Sequence, residues 1–142
     1  MRYYLYGEPD RLVVGERCAT SDVLFNTNSG RISVGDDTIF GHRCMVLTGR
    51  HRFHQGKRVD LWPAGTCDFP EIADEGCDIT IGTGCFIGSG SIILAGVEIG
   101  DNSIIGAGSV VTRSVPPGCF AAGNPASVIK QLSDDEEDAD GA

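Results

Sequence analysis

The chain has 142 residues, 41% of them hydrophobic, which fits a single domain with one continuous core. Its 20 Asp and Glu residues outnumber its 11 Lys and Arg residues, and the formal net charge of −9 argues against a nucleic-acid backbone as the main partner. No apolar run is long enough to span a bilayer and no long apolar stretch follows Met1, so we expect a cytoplasmic protein without membrane insertion.

The first 30 residues contain one hexapeptide-like piece, at residues 14–18, within polar and turn-rich sequence. We expect this span to form a first, irregular coil that caps the structure. A regular six-residue rhythm then starts at Val34 and continues through Phe40 and Val46. Because helices favour apolar spacing near 3.6 residues and strands near two, a period of six predicts a chain that runs straight, turns a corner and runs straight again.

The rhythm breaks over residues 50–78, an insertion that is basic at its start, acidic at its end and contains the only tryptophan. Two of the three histidines, His51 and His54, lie in this insertion. A long insertion that leaves a regular scaffold is usually functional, so we expect it to carry chemistry rather than to be a tolerated surface loop.

The six-residue rhythm then returns for two more coils and predicts one triangular coil per 18 residues. Turn-forming pairs such as Ser89-Gly90 and Ala107-Gly108 separate the straight segments. A small or β-branched residue follows each inward position by four places, and Cys85 is one of these, so we interpret the six cysteines as reduced packing residues. The predicted inward residues are Ile81, Ile87, Ile93, Ile99, Ile105 and Val111.

The residue before each inward position points outward and stacks on the residue 18 places later. Two of the three outer faces are apolar and one is polar, which predicts prisms that pack together as a homotrimer with cyclic symmetry. The alternative is that the terminal segment of the same chain covers one apolar face. The outer pairs are Phe86 with Ile104, Ile92 with Val110, and Thr80 with Glu98.

The repeat ends at Pro116-Pro117, because proline cannot continue the coil. Asn124-Pro125 forces an extended or turn conformation, and we expect a short helix to begin near Ala126. Residues 131–142 are strongly acidic and predict a disordered tail. The predicted organisation is therefore a single domain over residues 1–130, with the insertion at residues 50–78, followed by the tail.

Residues 105–130, which read IGAGSVVTRSVPPGCFAAGNPASVIK, closely resemble the carboxy-terminal signature of the maltose- and galactoside-type O-acetyltransferases in the hexapeptide-repeat family. With the coil before the insertion, the resemblance covers roughly residues 34–130. It implies an all-β fold, a left-handed parallel β-helix with one long inserted loop and a short C-terminal segment. It also implies that acetyl-CoA binds in a groove between two prisms of a trimer, where a loop histidine acts as general base.

The resemblance assigns roles to individual residues. The family's base stands 17 residues after the branched residue that opens the preceding coil, and counting 17 from Val34 leads to His51. Ser89 resembles the serine near the thioester, and Ala107 resembles the residue whose backbone binds the pantetheine arm. The positions that flank the amides and phosphates of the cofactor are matched by Thr112, Arg113 and Lys130.

The residues of this chain match the family's acceptor-binding positions less closely than its cofactor-binding positions. Ser29 and Ser21 stand where the family has an acceptor-binding carboxylate and amide, and Asn26 and Asn28 lie nearby. His54 either lines the acceptor pocket or replaces the loop base. We take Asn26, Asn28 and His54 as the candidates for binding a small carbohydrate acceptor.

These residue types suit the implied chemistry. Acyl transfer from a thioester to a hydroxyl needs a base that is neutral near pH 7, and imidazole, with an ordinary pKa of about 6.5, provides one. One well-placed base contributes about 10² to 10⁴ in rate. Backbone N–H groups or the Ser89 hydroxyl can stabilise the oxyanion, and Gly88, Gly106 and Gly108 leave space for a narrow pantetheine arm.

We therefore expect a coenzyme A-dependent acyltransferase that moves an acetyl group from acetyl-CoA to a hydroxyl of a sugar or saccharide. The alternatives are an N-acetyltransferase acting on an amino or nucleotide sugar, and a catalytically inactive trimeric β-helix that serves as a binding module. The zinc carbonic anhydrases share this scaffold, but His42, His51 and His54 do not reproduce their ligand spacing, so no metal is expected.

Overall fold

The chain winds into a prism with three flat sides in a computed structural model that describes residues 2–59 and 76–134. Each side is a sheet in which neighbouring strands come from successive coils and run parallel, apart from the last strand. Face A contains β1 (Tyr3–Tyr6), β3 (Val23–Asn26), β6 (Met45–Leu47), β11 (Ile92–Leu94) and β14 (Val110–Val111). Face B contains β2 (Leu12–Val14), β4 (Ile32–Val34), β9 (Ile79–Ile81) and β12 (Glu98–Ile99). Face C contains β5 (Ile39–Phe40), β10 (Phe86–Ile87), β13 (Ile104–Ile105), β15 (Cys119–Gly123) and β16 (Ala126–Gln131).

The insertion leaves the prism without interrupting its stack. Strand β4 pairs directly with β9, with Val34 in register with Ile81, although the two strands flank the insertion. The described part of the insertion forms an antiparallel hairpin of β7 (Arg52–His54) and β8 (Lys57–Val59). Residues 60–75, which complete the predicted insertion, lie outside the described residues.

The core consists of the positions that the six-residue rhythm predicts. All six inward residues of the two later coils are at most 2% exposed, which confirms them. The small positions that follow them are buried as well, and their hydroxyl groups bond to backbone carbonyls; Ser103 Oγ, for example, donates to Pro116 O at 2.7 Å. The outer pairs also stack as expected, because Phe86 is in register with Ile104, Ile92 with Val110 and Thr80 with Glu98.

Residues before Val34 form a first coil that is more regular than the sequence indicated. Face B has β2, face C has a single bridge between Ala19 and Ile39, and face A has β3. Strand β1 pairs with β3 as the edge strand of face A, and the Tyr3 ring meets the Phe25 ring edge to face at 5.4 Å. One 3₁₀ turn, η1 (Pro9–Arg11), connects β1 to β2.

The helix expected near Ala126 is wrong. Residues from Ala126 form strand β16, which pairs antiparallel with β15. The β-branched Val128 and Ile129 favour a strand, and the outer edge of β15 offers unpaired backbone groups to complete it. Residues 135–142 of the expected tail lie outside the described part of the chain, and the domain division at residue 130 stays a prediction.

Candidate active site

Most of the sequence-predicted site residues fall on two different edges of face A, and Lys130 and His54 lie elsewhere. We call the corner between faces C and A the CA edge, which contains Asp22, His42, Ser89 and Ala107. The corner that leads from face A to face B is the AB edge. It contains Asn28, Gly49, Gly96 and Arg113 and their neighbours.

The CA edge is a continuous column of hydrogen bonds along the prism. Gly108 N donates to Ser89 O at 2.8 Å, and the His42 N donates to Ser89 Oγ at 2.9 Å. One coil further on, Arg43 N donates to Asp22 Oδ1 at 2.8 Å. Ser89 and Ala107 are both exposed, so this column presents a serine hydroxyl and backbone groups to a ligand that lies along it.

The glycines of the CA edge explain how the coils stack so closely. A Cβ on Gly88 would stand 2.5 Å from Ala107 N, and a Cβ on Gly41 would stand 2.6 Å from Ser89 N. Gly88 and Gly106 are buried. The lack of a side chain at these positions therefore allows the coils to stack closely and does not open space for a pantetheine arm. Gly108 differs, because it is exposed and a Cβ there would meet nothing within 4 Å.

The insertion leaves from the AB edge, and His51 lies at its exposed beginning. The insertion returns to the same corner: Arg50 Nη2 lies 3.9 Å from the position that a Cβ on Gly76 would take, and Gly96 N donates to Cys77 O at 3.4 Å. His54 lies in β7, in register with Lys57.

Four further candidates lie on the AB edge. Thr112 and Arg113 are exposed directly after β14, two coils from the start of the insertion. Asn28 is exposed directly after β3, and its backbone N donates to Asn26 Oδ1 at 2.9 Å, so the Asn26 side-chain oxygen already stabilises a turn. Lys130 lies elsewhere, in β16 at the end of face C, in register with Phe120.

Within one chain the structure does not bring His51 and Ser89 together. A strand of face A separates the two edges, and the three residues of β11 alone span roughly 10 Å. The CA edge therefore offers the serine and backbone groups, and the AB edge offers the histidine. Ser89 and His51 could therefore meet only if the CA edge of one prism approached the AB edge of another.

Two outer faces are available for such packing. The outward row of face A contains Leu24, Met45, Ile92 and Val110, and that of face C contains Ile39, Phe86, Ile104 and Phe120. Strand β16 extends the sheet of face C beyond β15 and lies across neither row. The described terminal segment therefore covers neither apolar face. Face B is different, because its outward residues Thr80 and Glu98 are polar.

The cysteine on the CA edge is a packing residue. Burial raises the pKa of the Cys44 thiol, and its Sγ donates to Gly88 O at 3.3 Å. A buried thiol with a raised pKa stays protonated at neutral pH, so Cys44 is not an activated nucleophile.

Cavities on the prism include two that are lined by described residues. One, of about 310 Å³, lies on face A beside the CA edge and is lined by Tyr4, Asp22, Leu24, Arg43, Cys44 and Met45. The other, of about 470 Å³, lies on face B near its carboxy-terminal end, where Thr80, Glu98, Asp101, Ser114 and Pro117 are among its walls. Neither Asp22 nor Arg43 was singled out from the sequence; Asp22 lies in the first coil, which has 20 residues from Val14 to Val34 rather than 18.

Residues 2–59 and 76–134 include no three metal-ligating side chains close enough to hold an ion. The same residues contain no helix of the length and hydrophobicity that a membrane crossing requires.

Comparison with known proteins gives consistent results. A family model described as bacterial transferase hexapeptide (six repeats) matches residues 78–113. A putative acetyltransferase of Dictyostelium discoideum is 54% identical over 133 residues, covering 90% of this chain and 70% of that protein. The galactoside O-acetyltransferase of Escherichia coli (strain K12) is 32% identical over 132 residues, covering 93% of this chain and 59% of that protein.

Solved structures resemble this one in the same way. A galactoside acetyltransferase in complex with coenzyme A has a TM-score of 0.67 to this chain at 28% identity, covering 93% of this chain and 65% of the other. The likeness confirms the predicted left-handed parallel β-helix. This chain spans less than two thirds of the length of either galactoside enzyme.

Proposed function

Because the chain belongs to the hexapeptide-repeat acyltransferase family, we propose that it transfers an acetyl group from acetyl-CoA to a hydroxyl of a sugar or saccharide. The observation that carries this proposal is the division of the candidate residues between the two edges of face A. The CA edge presents the exposed Ser89, whose Oγ accepts the His42 N–H, and the exposed Ala107, and the AB edge presents His51. The relatives named galactoside O-acetyltransferase, one of them solved with coenzyme A, support the donor and the acceptor class.

The active form is a homotrimer, in which each CA edge faces the AB edge of the next prism. The apolar outward rows of faces A and C favour this association, since exposed apolar strips of that length gain free energy when they are buried. Cyclic symmetry then repeats one crevice three times. The cytoplasmic location expected from the sequence stays a prediction.

The reaction follows from the residues that meet in this crevice. The pantetheine arm lies along Ala107, which puts the thioester carbonyl beside Ser89. His51 of the partner subunit removes the proton of the acceptor hydroxyl as its oxygen attacks the thioester carbon. Ser89 Oγ and nearby backbone N–H groups stabilise the oxyanion. When the carbon–sulfur bond breaks, the protonated histidine returns its proton to the thiolate, which leaves free coenzyme A and the acetyl ester.

The remaining candidates bind the two substrates. Thr112 and Arg113 lie on the same edge as His51 and interact with the amides and phosphates of coenzyme A, and Lys130 adds a cation for the phosphates. Asn26, Asn28 and His54 lie on the side of the crevice that contributes the base, where they contact the acceptor.

The test is to mix the protein with acetyl-CoA and a panel of sugars and to follow the release of free thiol. We expect turnover with at least one sugar, and a loss of about 10² to 10⁴ in kcat for His51→Ala with little change in coenzyme A binding. Glu98→Ala, an exposed change on the polar face B, is the matched control and keeps full activity. A His51→Ala protein as active as the parent would contradict the base, and coenzyme A binding without any turnover would favour a binding module.

A further inference from the structure

Two arginines stack on the AB edge, where the chain enters face B. Strand β2 pairs with β4 from Leu12 and Ile32 onward. The residues directly before that pair, Arg11 and Arg31, therefore follow one another along the prism at about the 4.8 Å spacing of paired strands. Arg31 is exposed and Arg11 is half-buried. Two positive charges on neighbouring coils repel each other, and an anion bound to both offsets that repulsion.

Backbone carbonyls fix the Arg11 guanidinium at this corner. Its Nη1 donates to Asn28 O at 3.3 Å and to Thr27 O at 3.4 Å. The donors on Nε and Nη2 form no hydrogen bond within residues 2–59 and 76–134. Arg11 is therefore held in place and still has N–H groups to offer to a ligand.

The corner between faces B and C shows how this protein neutralises an arginine. Arg17 of the first coil lies opposite Asp37 of the second, and its Nε donates to Asp37 Oδ1 at 2.6 Å. On the AB edge, the residue opposite Arg11 is a second arginine instead of a carboxylate. In the described part of the chain, neither Arg11 nor Arg31 forms an ion pair.

The acidic residues near these arginines do not neutralise them. Asp78 follows Arg31 in the stack, but its Oδ1 accepts the backbone N–H of Arg31, at 2.8 Å. Glu8 and Asp10 flank Pro9 in the turn that leads to Arg11, and both are exposed without forming an ion pair to it within the described residues. The AB edge therefore keeps two positive charges that a ligand can neutralise.

The charged corner is close to the proposed base. Asn28, whose carbonyl holds Arg11, is followed by Ser29, and Ser29 Oγ lies 3.9 Å from the position that a Cβ on Gly49 would take. Gly49 in turn precedes His51 by two residues. The arginine pair and the histidine thus belong to the same part of the AB edge.

The end of the edge that the proposed function assigns to coenzyme A is elsewhere. Arg113 follows β14, which is three strands along face A from β3. At the spacing of stacked strands, this puts the Arg113 backbone about 14 Å from that of Asn28. An anion bound by Arg11 and Arg31 is therefore at the acceptor end of the crevice rather than at the phosphates of the donor.

We propose that the acceptor is an anionic saccharide, whose carboxylate, sulfate or phosphate group is bound by Arg11 and Arg31 while a hydroxyl of the same sugar faces His51. This inference rests on the proposed function. A guanidinium presents paired N–H donors that match two oxygens of such a group, and the charges strengthen these hydrogen bonds. The two arginines therefore select a charged sugar over its neutral counterpart.

The test compares acceptors that differ in one charged group: the methyl glycosides of galactose and galacturonic acid, with galactose 6-sulfate and galactose 6-phosphate as the other anions. For the parent we expect kcat/KM to be about tenfold or more higher for at least one anionic sugar than for the neutral one. Raising NaCl from about 0.05 to about 0.5 M should reduce this preference, since salt screens the attraction.

Two variants of the full chain remove the charges. Arg31→Gln removes no side-chain hydrogen bond of the described chain, so we expect it to fold like the parent and to lose most of the preference. Arg11→Gln combined with Arg31→Gln should abolish the preference. The kinetics with neutral methyl galactoside and the KM for acetyl-CoA should stay unchanged in the single variant. The matched control is Arg17→Gln, which removes an exposed arginine at the corner between faces B and C and keeps the parent's preference.

Three results overturn this inference: equal kcat/KM for the neutral and anionic sugars in the parent, a preference that the double variant retains, and a rise in the KM for acetyl-CoA in Arg31→Gln. The first of these, with turnover, leaves the proposed function intact. Saturation-transfer NMR separates the opposite case. Binding of an anionic sugar that Arg31→Gln abolishes, in a parent protein that acetylates no sugar, supports the anion site and contradicts the proposed function alone. Absence of both binding and turnover contradicts both.

Discussion

Gly88 has no space for a side chain, because a Cβ there would stand 2.5 Å from the backbone N of Ala107 on the next coil. We expect Gly88→Ala to lower the free energy of unfolding by about 1 to 3 kcal/mol, as overpacking does in well-packed interiors. The shift of Ala107 would also raise the KM for acetyl-CoA. Thermal unfolding and steady-state kinetics measure the two effects.

Gly49→Ala is the control for that change. Its nearest neighbour would be Ser29 Oγ at 3.9 Å, which is ordinary van der Waals distance, so we expect almost no change in melting temperature. Equal melting temperatures for Gly49→Ala and Gly88→Ala would contradict the tight stacking of coils at the CA edge.

Cys44 and Cys85 make stability depend on alkaline pH. Burial raises the pKa of both thiols above the ordinary value of 9.0, so the unfolded chain loses these protons at a lower pH than the folded chain does. Their contribution is fully present below about pH 9 and is lost as pH rises through the folded pKa. Between pH 8 and pH 10.5, the free energy of unfolding measured with urea should fall less for the Cys44→Ala, Cys85→Ala double variant than for the parent. The same fall in both proteins would contradict this assignment.

At the scale of single residues, the sequence predicted the core, and the roles of the site residues stay predictions. Inward positions were predictable because each repeats at six-residue spacing, and all six are buried. Asp22 was not singled out, because it lies in the first coil, which has 20 residues from Val14 to Val34 rather than 18. The sequence alone did not show that Ser89 and His51 lie on opposite edges of face A, because this depends on which strands form each face.

Strand β11 shows how one element serves both the fold and the assembly. Ile93 points inward and is fully buried, whereas Ile92 points outward in the apolar row of face A. We expect Ile93→Ala to lower the free energy of unfolding by about 2 to 5 kcal/mol, the usual cost of an emptied core position. Ile92→Ala should affect folding less and weaken the trimer more. Urea unfolding at fixed protein concentration, together with light scattering, separates the two effects.

Suppose instead that Ile92→Ala lowered the free energy of unfolding more than Ile93→Ala does and left the trimer intact. That result would contradict the placement of Ile92 in an outward row that packs between prisms.

Strand β16 is the element that the sequence did not predict. Ala126 after Asn124-Pro125 suggested a helix start, but tertiary context decided the outcome, because β15 leaves an edge that needs a partner. Local propensity in a segment this short cannot report on a pairing site supplied by another strand. The insertion illustrates the same limit, since the period indicated an interruption over residues 50–78 but not the β7–β8 hairpin in its described part.

On the scale of the whole molecule, the period of six specified a stacked prism, because only a chain that turns a corner after each inward residue buries all of them. The arrangement of prisms relative to one another is a different matter. A single sequence shows two apolar outer rows but not which edges they bring together, and the proposed catalytic crevice depends on that arrangement.

Co-expression of two disabled chains tests the shared crevice most directly. One chain carries His51→Ala and keeps its CA edge, and the other carries Ala107→Trp, whose ring fills the path of the pantetheine arm, and keeps its histidine. Each variant alone should be inactive. In trimers assembled at random from equal amounts, a crevice receives an intact CA edge and an intact histidine about a quarter of the time, so we expect about a quarter of the parent's activity. Mixed trimers as inactive as either variant alone would contradict a site shared between chains.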